Sequence, residues 1–260
     1  MLLAPVALGD GSIFITGHDP DFHALLGGNL VGARRINQVG ISFVQDPVYN
    51  PYVATAPKFL VVESNIPVPG GHTIGEQGIA ASGYTAGVHY DKHTAATLNA
   101  ALNQLGTPGG YSAIVVCSDF GGILTQAELN ILNARATDIG NFINSGGGIY
   151  AMAEGNSGAG LTPNGGWFSY IPGIVASNPL NQSEVGNTVS VFGALLGLTD
   201  ANVNGNASHN IFTQIGALAA VDYDAAGNIL TAAGRTNVPA PASGAALALL
   251  GAATLRRRRR

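Results

Sequence analysis

The chain has 260 residues, 46 % of them apolar, enough for one large domain with a substantial core. Charged residues make up 10 %, well below the roughly one quarter of an average globular chain, and with 37 glycines this composition suits an exported protein. Five of the eleven basic residues end the chain, so the remainder carries about −9 and lacks the basic stripe that nucleic-acid binding needs.

Residues 1–9 are apolar and end in small side chains, like the back half of a secretory signal without its basic start. Residues 1–11 are read as such a remnant, and a full signal upstream is the expectation for an exported chain. Residues 12–16 are β-branched and aromatic and predict a strand closed by Gly17. His18, Asp19, Pro20, Asp21, Phe22 and His23 form the loop at its end. Residues 24–37 give no clear signal. Residues 58–63 form a continuous apolar run closed by Glu63, as expected of a strand buried on both faces, and the Pro/Gly stretch at 67–71 breaks it.

Thr94 is a plausible N-cap for a helix over 95–105 that stops at Gly106. Residues 111–117 predict another strand, and residues 118–122 its exit loop. Thr125 and Glu128 have the spacing of a capping box. The helix they start runs to about Asn144, with Leu129, Leu132, Ala136, Ile139 and Ile143 at helical spacing. Gly146, Gly147 and Gly148 end it and lead into a strand over 149–153. This alternation implies a parallel sheet with right-handed crossovers. Beyond Glu154 the pattern weakens until strand-like pieces at 188–192, 218–223 and 229–232. Residues 224–228 read as a hairpin turn.

Cys117 is the one cysteine, which excludes an internal disulfide and a cysteine-based metal cluster. Inside its apolar run it reads as a small buried hydrophobe; its alternative, a displaced nucleophile, requires a nearby histidine such as His209. Two clusters have metal-ligand chemistry: His18, Asp19, Asp21 and His23, and His89, Asp91 and His93. In an extended segment the second set shares a face, and imidazole with carboxylate suits Zn²⁺ or a similar ion. Each cluster also reads as plain polar loop structure: Asp19-Pro20 starts a turn, and 89–93 approaches the Thr94 helix. Asp119 and Glu154 follow neighbouring strands. They could share a crevice as an acid/base or sugar-binding pair, or simply cap their own loops. Trp167, Phe168 and Tyr170 offer rings for carbohydrate stacking or for packing onto the sheet. The glycine run at 146–148 precedes a strand and lacks the phosphate-loop lysine.

These motifs resemble the type 1 glutamine amidotransferase-like domain, the flavodoxin-like α/β fold shared with ThuA-type proteins. The resemblance rests on Gly17-His18-Asp19, on residues 118–122, on the Thr125 helix and on residues 146–155, and it covers about 12–213. Residues 208–212 are similar to the His-Pro-Ile-Phe element of ThuA-like relatives, with Asn210 in place of Pro. The resemblance implies a flavodoxin-like parallel sheet with helices on both faces over residues 12–235. It also places Ala153 where active amidotransferases carry a nucleophilic Cys followed two residues later by Gly. Alanine has no nucleophile, so the fold is expected without the family's best-known reaction.

Residues 236–242 read as a linker to an uncharged apolar run over 242–255. Val238, Pro239, Ala240 and Pro241 precede that run, and Arg256, Arg257, Arg258, Arg259 and Arg260 follow it. Fourteen apolar residues make a helix of about 21 Å, short of the ~30 Å bilayer core, which suits a transient transmembrane anchor. The arginines would stay cytoplasmic. The last 23 or so residues resemble the PEP-CTERM sorting signal of exported Gram-negative bacterial proteins, with Ala240 in place of the usual Glu. The resemblance implies exosortase as a partner and delivery to the cell surface or medium. The sequence thus supports a non-enzymatic ligand- or matrix-binding domain, extracellular polysaccharide included, with no cofactor. The competing reading is a hydrolase using His18, Asp19, Asp119, Glu154 and His209, with or without Zn²⁺.

Overall fold

The computed structural model describes residues 10–64, 75–120, 124–155, 161–163, 165–177 and 185–236. The first strand, β1 (Gly11–Thr16), is wholly buried. The expected loop after it contains a short helix, α1 (Pro20–His23), opened by proline at its first position. A 15-residue helix that the sequence left unread follows, α2 (Leu30–Val44), capped by Asn29, whose side chain accepts from the Gly32 N–H at 2.9 Å. Ile36, Val39, Phe43 and Val44 line its buried face. Gly32 and Gly40 disguise the helix, and both serve close packing. A Cβ on Gly32 would lie 2.3 Å from the Asn202 carbonyl oxygen, and one on Gly40 would meet the Tyr150 ring at 3.1 Å.

β2 (Lys58–Val62) stands as expected. Then come α3 (Gly75–Ala81) and β3 (Tyr90–His93), the latter a strand where a polar approach to a helix was one reading. α4 (Ala95–Ala101) continues as a 3-10 turn over Leu102–Gln104; Thr94 is its N-cap by position, but its hydroxyl makes no cap bond. β4 (Tyr111–Val116) follows. The expected single helix to Asn144 is two, α5 (Gln126–Ala134) and α6 (Ala136–Asn144), divided at Arg135. Arg135 leaves helical geometry there (φ −102°, ψ 13°), and its guanidinium ties the break to Asn99 and Asn103 across the neighbouring helix. Glu128 reaches back to the Thr125 N–H at 2.9 Å, as its spacing predicts.

β5 (Gly148–Ala151) precedes β6 (Val175–Ser177) and β7 (Thr188–Val189). The strand expected over 188–192 stops early, because Ser190 accepts from the Gly193 N–H and turns the chain into α7 (Val191–Leu195). α8 (Asp200–Val203), β8 (Ile211–Gln214), β9 (Ala219–Tyr223) and β10 (Ile229–Thr236) complete the described chain. The hairpin between β9 and β10 turns on Asp224, whose carboxylate accepts from the N–H groups of Ala226 and Asn228.

The strands form one mixed sheet in the order β3-β2-β4-β5-β1-β10-β8-β6, with β9 beside β10 and β7 beside β9. The first five are parallel, with Ile13 opposite Ile149, Ile149 opposite Ile114 and Phe59 opposite Ala113, as the crossover argument requires. The other five pair antiparallel. Alternation along the strands divides the core. Ile13, Ile15, Val62, Ile114 and Ile149 pack with α4, α5 and α6, and Phe14, Val61, Val115 and Tyr150 pack with α2 and α3. The fold is therefore α/β, with helices against both faces of a mostly parallel, mixed sheet. Among the described residues no helix is long and apolar enough to cross a membrane; residues 236–260, with the exception of Thr236, lie outside them, as do residues 1–9.

Candidate functional site

Parallel strands end together, so the loops after β1, β2, β4 and β5 meet at one edge, where open α/β sheets place ligands. The ladder continues past the strand ends: Ala153 N donates to His18 O at 3.1 Å and Asp119 N to Ala153 O at 2.9 Å. The stretch before β8 reaches the same edge, with His209 N donating to Gly17 O at 2.6 Å. Gly17 permits this approach, since a Cβ there would lie 2.0 Å from the Asn210 carbonyl oxygen. The backbone thereby brings His18, Asp19, Asp119, Glu154 and His209 to one edge, all buried.

Their side chains divide into separate groups. His18 Nε2 lies 2.7 Å from Asp222 Oδ2, both fully buried, and Nδ1 faces the Ala207 carbonyl at 3.3 Å. Both ring nitrogens thus face acceptors. Burial works against the imidazolium, but the Asp222 and Asp19 charges outweigh it and raise the pKa above its ordinary value. This pair bolts the exit of β1 to β9.

Asp19 is fully buried, with its carboxylate 3.3 Å from His23 Nε2 and 3.4 Å from His209 Nε2. Neither oxygen accepts a hydrogen bond. His23 explains half of this. Its Nδ1 faces the carbonyls of Leu26 and Gly27 at 3.2 Å each, and its Nε2 accepts from Ala207 N at 3.3 Å. In the neutral ring the proton therefore sits on Nδ1, and Nε2 offers Asp19 no donor. Phe120 covers His209 with ring centroids 5.8 Å apart.

Asp21 is a staple between strand ends, accepting from Phe22 N at 3.1 Å and Ser118 N at 2.9 Å. Burial, with the Asp19 charge, pushes its pKa up to about 6 against those two bonds. Glu154 accepts from Phe168 N at 2.7 Å. Burial raises it to about 7, opposed by Tyr170 and by the Phe168 N–H. Phe168 has φ +58°, the one positive value outside glycine among the described residues, a costly conformation for a bulky side chain that Glu154 pins. Phe168 and Tyr170 are fully buried, so these rings pack onto the sheet instead of presenting a stacking surface.

The second histidine cluster lies on β3, at the far end of the parallel strands from β1. Asp91 pairs with Lys58 at 3.1 Å, and His93 Nε2 meets the Tyr111 hydroxyl at 2.7 Å. His89 instead closes a turn, accepting from Thr85 N at 2.9 Å. Among the described residues no group of three or more His, Cys, Asp or Glu side chains is arranged to hold a metal ion. Cys117 is fully buried on the α2 face with Tyr150 and Met152, and burial lifts its thiol well above the ordinary range. The buried-hydrophobe reading fits it.

A comparison of the chain with protein-family models, with curated proteins and with solved structures gives no match. The site is therefore read from its own geometry. Three of its residues were not read as site members from the sequence. Asp222 lies in an ordinary strand run. Asn210, noticed as a departure from Pro, accepts from both Glu154 N at 2.8 Å and Gly155 N at 3.0 Å and so fixes the exit of β5. Glu63 caps α3 by accepting from the Glu76 N–H, and burial raises it to about 8 against the pull of Lys92. An acid closing an apolar run was the one available clue to Glu63.

Proposed function

We propose that this is an exported, envelope-associated α/β domain that binds a polar ligand at Asp19 and does not run amidotransferase chemistry. One observation carries the reading. The Asp19 carboxylate is fully buried between two imidazoles at 3.3 and 3.4 Å, and neither oxygen makes a hydrogen bond. A buried acceptor left without a partner costs about 1–3 kcal/mol, which a ligand hydroxyl or ammonium group recovers. Ala153 at the elbow position supports the absence of thioester chemistry, because alanine carries no nucleophile and the one thiol, Cys117, is buried with Tyr150 and Met152. In chain order the parallel strands run 3-2-4-5-1, with β1 last in the parallel set, whereas a flavodoxin-like sheet runs 2-1-3-4-5, so the flavodoxin-like layout rests on the sequence resemblance alone.

Export rests on the tail, residues 238–260, read as a sorting signal cleaved by an exosortase near Pro239 and Pro241, with extracellular polysaccharide as a candidate partner. The described core draws on residues from Ile13 to Ala233, which suits a removable tail. A second reading has its own observation. His209 Nε2 and the Asp19 carboxylate lie 3.4 Å apart, an imidazole and a carboxylate at ion-pair distance, which favours a hydrolase acting on a carbohydrate or amide. Calorimetric titration of the intact protein with neutral polyols and primary amines tests the first reading. Saturable binding lost in Asp19→Ala, without turnover of the bound compound, supports it. Turnover abolished by His209→Ala would replace it with the hydrolase. Ammonia release from glutamine that survives Cys117→Ala would overturn the assignment of Ala153.

A further inference from the structure

A second centre lies at the other edge of the sheet. Arg235 stands opposite Ser12, at the start of β1. A cleft of about 290 Å³ opens there between α2 and α7, lined among others by Arg35, Val39, Phe43, Leu195, Leu196 and Arg235. This is near the lower end of the range for small-molecule sites.

The Arg235 guanidinium is held between two rings, its central carbon 3.6 Å from the Tyr49 centroid and 4.4 Å from the Phe43 centroid. Nη2 donates to Asp46 at 2.9 Å, and Nε is buried without an acceptor. The rings fix the guanidinium plane, so a planar anion meeting it loses little side-chain entropy. Arg35, about two helical turns before Phe43 on α2, donates to the Gly197 carbonyl at 3.1 Å. Lys58, Lys92, Arg135 and Arg235 each face a carboxylate, whereas Arg35 donates to a carbonyl. The cleft thus holds two guanidinium groups and one carboxylate, Asp46, in a chain with more acids than bases. Its α7 wall is apolar and uncovered. Leu195 is 80 % exposed, and Val191, one turn earlier, 82 %.

We infer that this cleft binds a small organic carboxylate with an apolar body. The head group sits between Arg35 and Arg235, where a guanidinium fork matches a carboxylate, and the body lies on Val39, Leu195 and Leu196. The site is independent of Asp19, and neither reading depends on the other.

The test is an NMR titration of the ¹⁵N-labelled intact protein with benzoate or hexanoate, with benzyl alcohol as the neutral control. The buried Arg235 Nε–H is the reporter, assigned by its loss in Arg235→Lys. The expected result is a saturable shift of that signal with either carboxylate and none with the alcohol. Arg35→Ala alters an exposed side chain and should leave the fold intact while weakening binding about tenfold, the equivalent of one good head-group contact. A shift that does not saturate, an equal response to benzyl alcohol, or unchanged affinity in Arg35→Ala would overturn the inference.

Discussion

The two halves of the sheet differ in how they are built and in what they contribute. The parallel half, β3-β2-β4-β5-β1, supplies the buried apolar strands and the loops that carry His18, Asp19 and Glu154. The antiparallel half supplies their partners. His18 meets Asp222, Asp19 meets His209, and the Glu154 backbone meets Asn210. The candidate site is a seam between halves, and each polar contact across it joins one residue from each. Two of these contacts are satisfied within the protein. Asp222 and Glu154 each keep one bare oxygen, but at Asp19 both oxygens lack a hydrogen bond, which is why we propose a ligand there.

The seam can be broken most severely at its buried ion pair. Asp222→Ala leaves His18 without its counter-charge and should cost about 3–5 kcal/mol in urea unfolding; a cost under 1 kcal/mol would show that the pair does not join the halves. Changing pH sharpens the same comparison. Glu154, raised to about 7, keeps its proton in the folded state after the unfolded chain has lost it. Stability should therefore fall as pH rises from about 4.5 to 7. His18 acts in the same direction, since its raised pKa contributes stability that is present below about 6.5 and lost as pH rises through the folded value. Glu154→Gln should remove the first effect, gaining up to about 3 kcal/mol at pH 8 relative to its effect at pH 5. Urea titrations of both proteins at the two pH values decide this.

A smaller break is Asn210→Ala, which removes the acceptor for two N–H groups at the β5 exit and should cost about 1–3 kcal/mol. If melting is unchanged, Asn210 does not position that exit. Removing residues 256–260 should have the smallest effect on the domain, within about 0.5 kcal/mol. In the native host the same deletion should misplace the protein, as fractionation and mass spectrometry would show. An intact C-terminus on a cytoplasmic protein would contradict the export reading.

The two halves were also unequally legible. Runs such as 58–63 and 111–117 are long, apolar and bounded by turn residues, so the parallel strands and their order of appearance could be read directly. β3 escaped because Asp91, Lys92 and His93 make an edge strand look like a loop. α2 escaped because Gly32 and Gly40 look like breakers, although their missing side chains are what let the helix approach Asn202 and Tyr150. The strand pieces β6 and β8 were not visible, since short antiparallel strands depend on partners distant in sequence. For the same reason the sequence supplied His18, Asp19 and Glu154 as candidates but not the contacts among them. Asp222 is more than 200 residues from His18 along the chain, and no local pattern joins them.

The central claim is that the buried Asp19 carboxylate, which makes no hydrogen bond within the protein, is completed by a ligand at this seam. Carbon-detected NMR of the Asp19 carboxyl group, followed during titration with neutral polyols and primary amines, tests it most directly. The account predicts that a bound compound moves the Asp19 carboxyl resonance in a saturable way while the Asp222 carboxyl stays in place. Binding that leaves the Asp19 resonance unmoved, or that shifts Asp222 instead, would contradict it.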